Sequence, residues 1–108
     1  MTTKELETVF DEQVQRCREV ILQKGREYTP DAAERFSSFE TAAKLQHTTQ
    51  EKALAGMLAK HIVSLYDMCI SGAEHFDMAV WDEKITDSLN YLFLLKAIVK
   101  EVTTNKEH

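Results

Sequence analysis

Gly56, Lys60, Ser64 and Asp67 follow one another at steps of four, four and three, and Glu83, Asp87 and Asn90 at steps of four and three. Residues so spaced share one face of an α-helix. A face offering an ammonium, a hydroxyl, carboxylates and an amide can pair charge, hold a cation or read the polar edge of a small ligand. Tyr91 adds a ring beside Asn90, and His61 adds an imidazole suited to a phosphate or a base. Two readings stand side by side. In one the rows form a ligand site. In the other, Lys60 pairs with Asp67 or Asp87 in a buried network that fixes helix register, and His61 is a satisfied core histidine. Gly56 costs about 1 kcal/mol in a helix interior relative to alanine, so it predicts a close approach by a neighbouring helix or a ligand.

A second polar cluster lies at a chain turn. Lys24, Gly25, Arg26, Glu27 and Tyr28 precede Thr29-Pro30-Asp31, and Arg35 follows one turn after Pro30. Cations near a helix N-terminus oppose the macrodipole and call for an anion, which a phosphate held by Arg, Lys and free N–H groups would supply. The alternative is a solvated basic patch paired with Glu27, Asp31 and Glu34.

Helices must position these residues. Thr2 and Glu5 have capping-box spacing, and Leu6, Val9, Phe10, Val14, Cys17, Val20 and Ile21 recur at the helical period, with Gly25 as a stop. Thr29-Pro30 opens a second helix whose buried side is Phe36, Phe39, Ala43 and Leu45. Thr48 and Glu51 repeat the capping-box spacing and start a third, with Leu54, Met57, Leu58, His61, Leu65 and Met68 on one face, ending at Ser71-Gly72. Asp77 caps a fourth helix over 78–102, and 103–108 reads as a flexible polar tail. The expectation is an all-α, four-helix bundle-like single domain over 1–102. The last helix carries two apolar sides: Ile85, Leu89, Leu92 and Val99 on one, Leu94 and Ile98 on the other. Apolar residues on both sides imply burial on both, which predicts a homo-oligomer joined through that helix, unless the short second helix covers the extra side.

Bulk properties fit this frame. The 108 residues are 44% apolar and 29% charged, with 3 Gly and 1 Pro, an ordinary globular mix poor in the turns an all-β fold needs. A net charge of −5 opposes binding to duplex nucleic acid but leaves single nucleotides open. Cys17 and Cys69 sit in apolar helical patterns without metal-ligand spacing, so both are expected as buried thiols of a reducing cytoplasm. The N-terminal residues Met1 to Glu5 are polar and charged, unlike a secretory leader, and no run approaches the roughly 18 apolar residues of a membrane span.

Lys24-Gly25-Arg26-Glu27-Tyr28 followed by Arg35-Phe36-Ser37-Ser38-Phe39 resembles the K-x-x-[DE]-Y and R-x-x-x-F elements of a small helical family found largely in phages, nucleotide modification associated domain 1. The run from Trp81 to Tyr91 resembles its terminal D-x-x-N-Y helix, and Ala55 to His61 is similar to its lysine-bearing third helix. The resemblance covers about residues 5–100 and implies an all-helical protein that binds or acts on nucleotides. More distantly, the chain is similar to MazG-like all-α nucleotide pyrophosphatases, which hold Mg²⁺ on E-x-x-E and E-x-x-D pairs. Here Lys60 and Ser64 stand where acids would be expected, and Glu83 and Asp87 are four apart rather than three.

The leading expectation is a nucleotide-binding protein of phage type. It would use Lys24, Arg26, Arg35 and Lys60 on phosphate, His61 on phosphate or base, Tyr28 or Tyr91 for stacking, and Asp87 and Asn90 for polar readout, with no required cofactor. The second is a hydrolase holding Mg²⁺ on Asp67, Glu83 and Asp87. The third is an interaction module, such as a host-protein inhibitor, with a nucleotide sponge as a variant of the first.

Overall fold

The computed structural model describes residues 1–23 and 36–106. Among them are four α-helices and no strand: α1 (Thr3–Arg18), α2 (Ser37–Leu45), α3 (Gln50–Ser71) and α4 (Met78–Lys106). The all-α expectation is met. The start at Thr29-Pro30 expected for the second helix lies outside the described residues.

The caps show how local sequence sets the boundaries. Thr2 accepts from the Glu5 N–H at 3.1 Å, while the Glu5 carboxylate accepts from the Thr2 N–H at 2.9 Å, so the capping box forms. At α3 the cap is Thr49, whose hydroxyl accepts from the Lys52 N–H, rather than the expected Thr48. The reason lies one helix earlier. At the end of α2 the His47 N–H donates to the Lys44 carbonyl, and the Thr48 N–H donates to the Ala43 carbonyl at 2.9 Å. That is a Schellman closure, with His47 at φ 53° in the left-handed position. Thr48 is engaged in ending α2, so the next threonine opens α3.

Two helices depart from the expected course. α1 passes after Arg18 into a π-helical turn, Glu19–Gln23, a distortion found mostly as single turns inside α-helices and often at functional sites. α4 continues to Lys106 instead of stopping at Val102. No Gly or Pro interrupts it there, and extending an existing helix is far cheaper than nucleating one. Residues 103–106 therefore belong to α4.

The core is small. Phe39 of α2, Leu54 of α3 and Ile98 of α4 are buried together, with Phe36, Met57, Tyr91, Leu94 and Leu95 packed against them. Phe39 meets Phe36 at a ring separation of 6.3 Å and Tyr91 edge-on at 6.5 Å. α4 packs along α3 and also receives α1, while α2 packs on α3. The α1–α4 crossing is tied by Gln13, whose amide donates to the buried Thr86 hydroxyl at 2.9 Å, and by an Arg16–Asp82 ion pair at 3.4 Å. Beyond the turn at Gly72, the Trp81 indole N–H donates to the Ala73 carbonyl and its ring meets Phe76 edge-on.

Several burial expectations are corrected. Leu45 is 77% exposed, because Phe39 and Ala43, one turn apart, form the inward side of α2 and Leu45 points away from both. Cys17 is buried as expected, but Cys69 is exposed, since its neighbour Met68 takes the inward position. On α4 the two apolar sides are not equally covered: Ile98 is core, whereas Leu92 and Val99 stand roughly half exposed. α3 carries the expected inward face, and by length and mean hydropathy (1.3) it meets the threshold for crossing a membrane. Lys60 and Asp67 interrupt it, and its Leu54 and Met68 are buried. One such helix does not mark a membrane protein.

Gly56 is also corrected. It is exposed, and a Cβ built there meets nothing within 4 Å. No close approach requires this glycine. Gly56→Ala is therefore expected to stabilise the protein by about 0.5–1 kcal/mol through reduced backbone entropy, read as a raised midpoint in chemical denaturation. An unchanged or lowered midpoint would mean that something not visible here approaches this turn.

Candidate functional site

On α4 the residues at 83, 87, 90, 91 and 94 fall on one face by helical spacing. α1 crosses this face through its C-terminal part, and α3 flanks it with His61. Between them lies a cavity of about 220 Å³ lined by Val20, Ile21, His61, Asp87, Asn90, Tyr91 and Leu94. Four residues singled out by sequence, His61, Asp87, Asn90 and Tyr91, thus meet in one place.

Asn90 is the unusual member. It is 7% exposed, and neither its Nδ2 nor its Oδ1 has a hydrogen-bond partner among the described residues. A buried amide left unmatched costs on the order of 1–3 kcal/mol, so each such group calls for a physical reason. Beside it the His61 and Tyr91 rings stand 5.0 Å apart at 39°, forming an aromatic wall. Tyr91 touches Phe39 as well, so the same ring belongs to both cavity and core. Asp87 is partly buried and has no ion-pair partner among the described residues. The arrangement combines an amide with free donor and acceptor capacity, a carboxylate acceptor, two aromatic rings and an aliphatic floor.

A second cavity, of about 360 Å³, adjoins the first through Val20 and Asp87 and is lined further by Arg16, Ala79, Asp82, Glu83 and Thr86. Its arginine is engaged by Asp82, so its walls are acidic on balance. The carboxylates expected for Mg²⁺, Asp67, Glu83 and Asp87, do not assemble: no three His, Cys, Asp or Glu side chains form a metal-holding group among the described residues. Glu83 and Asp87 share this cavity, while Asp67 is exposed on α3 and lines neither cavity.

Lys60 is exposed and lines neither cavity. It forms no ion pair with Asp67 or Asp87, so the buried network that sequence offered as an alternative is not formed among the described residues. Lys24, Arg26, Tyr28 and Arg35 lie outside the described residues. Val20, Ile21 and Thr86 escaped sequence reading as site residues. Val20 and Ile21 occupy the π turn that follows α1. Thr86 looked like one more polar residue of an amphipathic helix. The chain matches no family model, no curated protein and no solved structure.

Proposed function

We propose that this protein binds a nucleotide, with the base seated in the cavity formed by His61, Asp87, Asn90 and Tyr91. The observation that carries the reading is Asn90, a buried amide with both polar atoms unmatched at the wall of an aromatic-lined cavity. A nucleobase supplies what that wall lacks. Its edge presents donors and acceptors to Asp87 and to the amide once that side chain turns toward the cavity, and its π-face stacks on the His61–Tyr91 side. A cavity of about 220 Å³ suits a base rather than a whole nucleotide, leaving sugar and phosphate toward solvent. Lys60, one residue from His61 and exposed on α3, is the described cation that sequence assigns to phosphate. The resemblance to the phage nucleotide modification family, resting on its motifs, points to nucleotide metabolism or modification. Binding is preferred to Mg²⁺-dependent hydrolysis because Asp67 stands apart from Glu83 and Asp87.

Thermal unfolding against a panel of nucleosides and nucleotides tests the proposal. A ligand at a hundred times its Kd is expected to add about 2.7 kcal/mol of stability. Asp87→Ala is expected to remove that shift while moving the free protein by no more than about 0.5 kcal/mol, since the carboxylate has no described partner to lose. A folded protein that no member of the panel stabilises would overturn the reading.

A further inference from the structure

Among the described residues nothing covers the first three turns of α1. Every residue from Met1 to Glu12 is exposed, yet this stretch carries Leu6, Val9 and Phe10 on one side, and Val14 continues the stripe. Phe10 is 65% exposed and Leu6 59%. An isolated helix of this length is marginal in water, and a helix with an apolar stripe is normally stabilised by covering it. The stripe runs on into an apolar cavity of about 240 Å³ lined by Val14, Cys17, Arg18, Ile21, Leu22 and Phe93, so α1 and α4 present one continuous surface.

We propose that a second copy of this chain covers that surface, with the two α1 helices packed antiparallel about a twofold axis near Glu12 and Gln13. Two observations favour a second copy over another occupant. First, the charges of α1 are self-complementary. On the N-terminal side of that axis lie Glu5, Glu7, Asp11 and Glu12 against Lys4, and on the other side Arg16, Arg18 and Glu19, with Arg16 held by Asp82 of its own copy. Parallel pairing would set acid against acid, whereas antiparallel pairing sets the acidic side of one copy against Arg18 of the other. Secondly, Glu7, Asp11 and Arg18 lie on the same flank of the stripe by helical spacing. An axis near residues 12 and 13 brings Glu7 opposite the partner's Arg18 and Phe10 against the partner's Val14. Arg18 has no ion-pair partner among the described residues.

The stripe of Leu6, Val9, Phe10 and Val14, with the apolar cavity beside Phe93, supplies the surface to be covered. This places the seam on α1, with Phe93 contributing from α4, rather than on the last helix alone as the apolar pattern of α4 suggested.

Light scattering on the full chain in solution tests this, with circular dichroism as the check on folding. The wild type is expected at twice 12.4 kDa. Phe10→Glu is expected to halve that mass while α3 and α4 remain helical, since residue 10 is exposed within one copy. Glu7→Arg is expected to weaken the dimer, and Glu7→Arg with Arg18→Glu to restore it, a rescue that a general loss of folding would not produce. A wild type that stays at 12.4 kDa at high micromolar concentration overturns the proposal. So does a larger species that Phe10→Glu and Glu7→Arg leave unchanged. Binding of monomeric wild type to phosphatidylcholine vesicles would assign the stripe to lipid and overturn it as well.

Discussion

Replacing Asn90 with leucine is expected to stabilise the free protein by about 1–3 kcal/mol and, in the same variant, to abolish stabilisation by nucleotide. The two effects share one origin. The wild-type amide is buried with both polar atoms unmatched among the described residues, so an apolar side chain of similar size removes a desolvation cost without removing a hydrogen bond. The same change leaves a bound base without its polar readout, and a site built to hydrogen-bond a ligand loses heavily when that group goes. Opposite signs in the free and liganded measurements distinguish a binding residue from a structural one. A structural asparagine would lower the free-protein midpoint when replaced, and that outcome, seen by thermal melting without ligand, would remove Asn90 from the site. Retained nucleotide stabilisation in the variant would do the same.

The second large effect is expected at Leu54. This side chain is fully buried, at 0% exposure, between Phe39 and Ile98 where α2, α3 and α4 meet. Truncation to alanine removes its transfer energy and leaves a cavity, costing about 2–5 kcal/mol. Against a total of roughly 5–15 kcal/mol for a domain, that is a large share, and the melting midpoint should fall by more than about 10 °C. Leu45→Ala supplies the contrast. Leu45 is 77% exposed at the end of α2, so its loss is expected to change stability by no more than about 0.5 kcal/mol. A comparable loss at both positions would mean that Leu45 is covered in solution and that the α2 end is packed differently.

Those two leucines also show what periodicity can and cannot reveal. Apolar spacing identified the helices, and it placed Leu54, Met57 and Met68 on the inward face of α3. It could not tell Leu45 from Phe39 and Ala43, because the end of a short helix allows an apolar residue to face either way. Cap positions behaved similarly. Thr2 and Glu5 were legible because each is free to bond the other's backbone N–H, whereas Thr48 was already engaged by the Schellman closure at His47. At the site, the face of Asp87, Asn90 and Tyr91 followed from spacing within one helix. Its opposing wall did not, because Val20 and Ile21 reach it through the crossing of α1 over α4, which spacing within one helix does not reveal. Gly56 was misread for a related reason: helix geometry assigns a residue to a side, but only the neighbours decide whether that side is crowded.

The π turn at Glu19–Gln23 carries a wider implication. In chain-length terms it is a surplus of about one residue at the end of α1. The segment therefore works as a joint between two tenants of the same helix: the outward-reaching stripe around Phe10 upstream, and the cavity wall of Val20 and Ile21 at the turn itself. Substitutions that reshape the stripe need not disturb the cavity, and changes within the joint can re-aim the cavity wall while the crossing held by Gln13 and Thr86 stays in place. One helix can serve assembly and ligand recognition on separate terms.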